Sequence, residues 1–324
     1  MKPVNPTAMT RRLLLGAVPG LAMGGTAAAQ STGLKLLPTS APDGIELPLD
    51  PWIDNYGRPT AKVMLNGQGP FRFLVDTGST TTVLAQRLAD RLGAPILGLA
   101  MVNGTTGTAL TPMARIDLLE TGVVKREAIK LAVLPDYGLA REDGILGADV
   151  FAGRKLIFNI SNRSVRIEPS RRGERTAPEP NLKIRNGLLA EIDGRVGNVK
   201  TRLMLDTGAQ HCIANMALSD ALRKVHPRLE RVDNVKVVGV TGHVILGQFI
   251  ALPKVDAKAF AVKDAGAVAA DAPIFKVWGL EEEPAMIVGV NLLSRLAMFS
   301  IDYGAKQFDA ELMALIARNG LMLG

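Results

Sequence analysis

A nine-residue segment of this chain occurs twice, and the repetition constrains the fold more than any other feature. Phe71-Arg72-Phe73-Leu74-Val75-Asp76-Thr77-Gly78-Ser79 recurs as Thr201-Arg202-Leu203-Met204-Leu205-Asp206-Thr207-Gly208-Ala209. In both copies a short apolar run, readable as a buried strand, ends in Asp-Thr-Gly. A hairpin signal precedes each run, Asn66-Gly67 in the first copy and Asp193-Gly194 in the second. Beyond the first copy, Val83–Leu92 carries Leu84, Leu88 and Leu92 at i, i+4 and i+8 before Gly93, which predicts a helix with a glycine cap. Beyond the second, Met216–Val225 predicts a helix stopped before Pro227.

A later pair of segments also matches. Asp143-Gly144-Ile145-Leu146-Gly147 precedes the apolar run Lys155–Ile160, and Met286-Ile287-Val288-Gly289 precedes Ala297–Asp302. Each half thus repeats one order: hairpin, apolar strand, Asp-Thr-Gly, helix, apolar-apolar-Gly, closing strand. Such a duplication predicts a mainly β protein of two homologous β-barrel lobes, residues 51–168 and 181–324, with a cleft between them and a few short helices. Residues 169–180, rich in Pro, Arg and Glu, predict an exposed linker. The end segment Phe308–Ala317 places Phe308, Leu312, Leu315 and Ile316 on one face and predicts a helix docked on the second lobe.

Composition narrows the chemistry. One cysteine excludes a disulfide framework within the chain, and three histidines without metal-ligand spacing leave no zinc site, so neither metal nor cofactor is expected. Residues 1–29 hold Lys2, Arg11 and Arg12, the apolar run Leu13–Val18 and the small residues Ala27-Ala28-Ala29, the order of an export signal. Its Arg11-Arg12 pair suits a twin-arginine signal, with an ordinary secretory signal the alternative. Without that segment's three basic residues the chain has 35 basic against 31 acidic residues, too small a surplus for a nucleic-acid footprint. The expected place is outside the cytoplasm, in a bacterial periplasm, with no stable membrane insertion once the signal is removed. Residues 30–50 read either as a prosegment whose Lys35 blocks the site or as an outer strand or tether, the second being preferred.

Two equivalent carboxylates on pseudosymmetric loops can face one another. Like charges a few ångströms apart cannot both ionise, so such a pair shares one proton. One carboxylate can then act as general base on a water while the other donates to a substrate carbonyl oxygen. Glycine leaves room for the opposite loop, and a threonine hydroxyl can bond the facing backbone.

On these residues the sequence resembles the aspartic peptidases of the pepsin and retropepsin superfamily, in particular bacterial exported members with two retropepsin-like lobes in one chain. The resemblance rests on Asp76-Thr77-Gly78-Ser79, Asp206-Thr207-Gly208-Ala209 and the glycine elements at Gly147 and Gly289, and it spans roughly residues 45–305. It implies that Asp76 and Asp206 are catalytic and that Thr77 and Thr207 grip across the lobes. Gly78, Ser79, Gly208 and Ala209 would complete the loops. It also implies flaps over an extended polypeptide substrate. Those fall at Gly104, Thr105, Thr106 and Gly107, and at Gly239, Val240, Thr241 and Gly242. A pepsin-type flap tyrosine is missing, since no tyrosine lies between Asp76 and Tyr137. In pepsin-like relatives the serine at the Ser79 position bonds its aspartate, which implies that Asp76 is the more acidic member and Asp206 holds the shared proton.

Other features carry less. His211-Cys212 is poorly placed for a thiol nucleophile, because adjacent strand residues point to opposite faces. Cys212 matches Thr82 of the first copy and reads as a small buried residue. His226 and His243 show no partner, and Trp52, Tyr56 and Trp278 either line subsites or pack. Two functional readings remain. The first is an aspartic endopeptidase, monomeric because both motifs share one chain, cleaving extended segments of envelope or secreted proteins. The second is a catalytically silent peptide-binding pseudoprotease using the same cleft.

Overall fold

The structure is a computed structural model, describing residues 45–47, 57–139, 141–170 and 181–313. The expected export signal, most of segment 30–50, most of the linker, Trp52 and Tyr56 lie outside the described residues. The chain is mainly β with a few short helices, and it is built as two equivalent lobes.

In the first lobe Thr60–Leu65 and Gln68–Val75 form the expected hairpin, turning at Asn66 and Gly67 with φ of 50° and 74°. Left-handed values at both positions are what a two-residue turn between twisted strands demands. Gln68–Val75 then runs parallel to Gly144–Leu146, which pairs antiparallel with Val83–Ala85, which in turn runs parallel to Val124–Leu134. The second lobe repeats the arrangement: Val199–Leu205 is parallel to Ala285–Val288, which pairs with Cys212–Ala214, itself parallel to Ala265–Ala269. Each lobe adds a long hairpin, Ile96–Gly104 with Gly107–Thr121 and Arg231–Val238 with Val244–Leu252. The lobes are tied by a shared five-stranded sheet in which Arg154–Asn159 of the first pairs antiparallel with Leu296–Asp302 of the second. Phe158 and Phe299 stack across that seam with ring centroids 4.6 Å apart. Ile45–Leu47 pairs with the outer strand Ser164–Pro169 of the same sheet, so this strand runs into the expected linker.

Three local expectations are corrected. The helix after the first motif covers only Gln86–Leu92; Val83–Ala85 is a fully buried strand held between two neighbours, and its lateral pairing prevails over the helical leucine spacing. Asp193 and Gly194 lie inside the strand Leu189–Val196, and the turn comes later at Gly197-Asn198. Gly194 serves close packing there, since a Cβ on it would sit 2.4 Å from Leu203 Cδ1. Finally, Gln307–Leu312 is a strand, not the start of a helix. The Phe308 N–H donates to Asn181 Oδ1 and its carbonyl accepts from Asn181 Nδ2, both at 2.7 Å, so neither group is free for a helical bond. Its ring is buried, edge-on to Phe260. The remainder of the expected helix, residues 314–317, lies outside the described residues.

Candidate active site

Each aspartate is placed by the end of a central strand. Val75 and Leu205 are buried, and the next residue leaves the sheet: Asp76 N–H donates to Leu146 O at 3.0 Å, and Asp206 N–H to Val288 O at 3.1 Å. Gly147 and Gly289 follow those acceptor strands and press against the loops; a Cβ there would stand 2.5 Å from the Thr81 carbonyl carbon or 2.6 Å from that of His211. Ala148 N–H bonds Ser79 O, and Val290 N–H bonds Ala209 O, each at 2.8 Å. The two loops therefore rest on equivalent supports.

The threonines join them. Thr77 Oγ1 donates to Leu205 O at 2.9 Å, and Thr207 Oγ1 donates to Val75 O at 2.7 Å. Each hydroxyl also accepts the other threonine's N–H at 3.1 Å. Both side chains are buried, so four reciprocal bonds across the lobes lie out of reach of water.

Above this grip sit the carboxyls. Asp76 Oδ1 accepts the N–H groups of Gly78 and Ser79 at 2.8 and 3.1 Å; Asp206 Oδ1 accepts those of Gly208 and Ala209 at 2.8 and 2.9 Å. That leaves the other oxygen of each carboxyl clear of its own loop's N–H groups, and the two carboxyls are close enough to influence one another. A Cβ on Gly78 would fall 2.3 Å from Asp206 Cγ, and one on Gly208 would fall 2.3 Å from Asp76 Cγ. Only glycine fits at either position.

Burial raises both carboxyls above the ordinary range. Asp206 is raised well above it, because burial is reinforced by the negative charge of Asp76. For Asp76 the rise is opposed by the Asp206 carboxyl, the N–H groups of Gly78 and Ser79, and the positive charge of Arg58. Of the two, Asp206 is thus raised further than Asp76, and the pair titrates as a unit. The cause differs from the sequence expectation: Ser79 Oγ donates to Thr81 O at 2.7 Å and contributes only its backbone N–H to Asp76.

The flap candidates are brought together. Gly104–Gly107 and Gly239–Gly242 are the tips of the two long hairpins, and the tips touch. Thr106 Oγ1 donates to His243 O at 2.8 Å, and Thr241 Oγ1 donates to Gly107 O at 3.1 Å. A Cβ on Gly239 would meet Thr106 Oγ1 at 2.2 Å, and Gly104 lies against Thr241. Val240 packs on Gly138 of the first lobe, and Gly242 on the Tyr137 ring. Thr105 lies in the turn between its strands.

Several site residues escape a reading of the motifs alone. Thr82 Oγ1 bonds Asp149 Oδ1 at 2.9 Å and accepts Gly147 N–H, while Cys212 Sγ lies 3.2 Å from Asn291 Oδ1 and 3.4 Å from Gly289 N. Asp149 and Asn291 both stand two residues past their glycine, so aligning the repeats would have exposed them. Cys212 is fully buried and its thiol is pushed up to about 12, which makes it inert. Trp278 is buried edge-on against Phe275, so it packs, and half-buried His226 lies against Gly197. His243 sits beside the second flap tip, Nδ1 at 3.1 Å from Thr241 Oγ1.

Among the described residues no cluster of His, Cys, Asp or Glu could hold a metal, and no helix is long and apolar enough to cross a membrane. Residues 61–150 match the model of a protein family described as aspartyl protease, which covers the Asp76 loop and the Gly147 element of the first lobe. Comparison with curated proteins gives no match.

Proposed function

We propose that this chain, whose residues 61–150 resemble an aspartyl protease family, is an endopeptidase working through the pair Asp76 and Asp206. The observation that carries this reading is the equivalence of the two loops. Each carboxyl is held by two N–H groups of its own loop and faced by the glycine of the other. A water between the carboxyls loses a proton to Asp76 as its oxygen bonds the scissile carbonyl carbon, and Asp206 gives its proton to the carbonyl oxygen. Breaking the C–N bond then moves the proton on Asp76 to the amine nitrogen, and the proton on the tetrahedral oxygen returns to Asp206. Charge developing on that oxygen is met by a donor already in place, which favours the transition state over the bound amide.

The substrate is an extended polypeptide segment lying beneath the touching hairpin tips, paired through its backbone. The enzyme is a monomer, since one chain supplies both loops, and it acts outside the cytoplasm on envelope or secreted proteins. The test is cleavage of a diverse peptide library from pH 3 to 8 by the wild type, Asp76→Asn and Asp206→Asn. Cleavage lost in both variants supports the reading. Cleavage surviving in either overturns it, and peptide binding without hydrolysis by the wild type favours a silent binding module.

A further inference from the structure

The two halves match closely around the carboxyls, and among the positions where they differ one carries a charge beside the pair. Arg58 precedes the strand Thr60–Leu65. Thr60 pairs with Leu74, two residues before Asp76, as Glu191 pairs with Met204, two residues before Asp206. The counterpart of Arg58 in the second half is therefore Leu189, an apolar residue buried in that lobe's core.

Arg58 Nη1 donates to the Gly208 carbonyl at 3.2 Å, crossing from the first lobe to the loop of the second. Gly208 is the residue whose Cα faces the Asp76 carboxyl without room for a Cβ. Behind Arg58 lies buried Glu142, with Oε2 3.7 Å from Arg58 Nη2 and Oε1 3.3 Å from Arg72 Nη2. Among the described residues one carboxylate thus stands between two guanidiniums. Arg87 is engaged further out, with Asp136 and Asp143. The groups facing Asp76 are Asp206, Arg58 and the Tyr303 phenol, whose own ionisation is suppressed by burial and by Asp76.

We propose that Arg58 is a positioning residue for the hydrolytic reaction: its bond to Gly208 seats that loop against the Asp76 carboxyl, and its charge keeps the pair's negative charge on Asp76. The inference rests on the dyad reading above. A guanidinium beside one of two equivalent carboxylates removes their degeneracy, so base and acid are assigned before substrate arrives. Glu142 sets the strength of the effect by neutralising part of that charge from ion-pair distance, its Oε2 making no hydrogen bond.

The test is the pH profile of kcat/KM, which reports the free enzyme, for wild type, Arg58→Gln, Arg58→Lys and Glu142→Gln, with thermal melts of each. Asp76→Asn and Asp206→Asn are run alongside. If either of those still cleaves, the dyad reading itself fails; if both are dead, the Arg58 variants decide the inference alone. Arg58→Gln is expected to move the acidic limb to higher pH by about one unit. Arg58→Lys is expected to restore the limb toward wild type while leaving a reduced plateau, because an ammonium supplies charge without the guanidinium fork. Should Arg58→Gln not fold, Glu142→Gln gives the reading: its acidic limb is expected to move to lower pH. A folded Arg58→Gln with the wild-type limb, an equal shift in Arg58→Lys, or an unmoved limb in Glu142→Gln would overturn the proposal.

Discussion

Gly78 of the first loop faces Asp206 of the second so closely that a methyl group on its Cα would stand 2.3 Å from the Asp206 carboxyl carbon. The reciprocal pair, Gly208 and Asp76, has the same clearance. Gly78→Ala must therefore push the two loops apart. Because a displacement of about 1 Å can cost roughly 10²-fold in rate, kcat/KM for peptide cleavage is expected to fall at least that far. Near-normal cleavage by the alanine variant would mean that the two carboxyls do not work as a unit.

The proton distribution gives an activity profile. In the proposed mechanism the productive state has Asp76 charged and Asp206 protonated. Both groups lie above the ordinary carboxylate range, Asp206 further than Asp76. A bell-shaped kcat/KM is expected, its acidic limb above the pH at which a free aspartate titrates and its basic limb set by loss of the Asp206 proton. A single acidic limb with a plateau extending through alkaline pH would contradict the shared-proton arrangement.

The same two groups should depress stability as pH rises. A carboxyl whose folded-state titration is raised favours the folded chain only while it is protonated, and that advantage is lost as pH climbs from the unfolded value through the folded one. Asp206→Asn retains an oxygen for the N–H groups of Gly208 and Ala209 and removes the ionisation. This variant is expected to melt above the wild type at pH 8, with the gap closing toward pH 3. Differential scanning calorimetry across that range checks it, and a variant less stable at pH 8 than the wild type would refute the burial argument.

Thr207→Val keeps the shape of the side chain and deletes its donor to Val75 O and its acceptor for Thr77 N–H. Two buried backbone groups lose partners, and at about 1–3 kcal/mol for each orphaned group the cost should be about 2–6 kcal/mol in urea unfolding. A loss below half a kcal/mol would show that the grip is ornamental to the fold.

Cys212 is buried with its thiol raised to about 12. The native protein is expected to resist thiol-specific alkylation at pH 8 and to react once unfolded in denaturant. Rapid native labelling accompanied by loss of peptide cleavage would restore the thiol-nucleophile reading.

Much of this site is legible in the sequence because the duplication displays it twice. The strand before each Asp-Thr-Gly, the glycine elements at Gly147 and Gly289 and the helix Met216–Val225 all follow from local patterns. Failures occur where a distant partner decides. Val83–Ala85 has helical leucine spacing downstream, yet two neighbouring strands claim its backbone. Phe308 is drawn into a strand by Ile301 opposite and by Asn181 alongside. Asp193-Gly194 has turn chemistry, but its glycine is needed for clearance over Leu203. Arg58 belongs to no motif, and its importance comes from a carbonyl 150 positions away.

The seam between Arg154–Asn159 and Leu296–Asp302 also sets a timetable. During synthesis the first half can complete its own barrel, but the shared sheet must wait until the closing strand Leu296–Asp302 has left the ribosome. Pairings this remote in sequence form late, because a long loop must be closed before they are rewarded. Until then a nascent chain would hold its aspartate loops without the sheet that ties one lobe to the other.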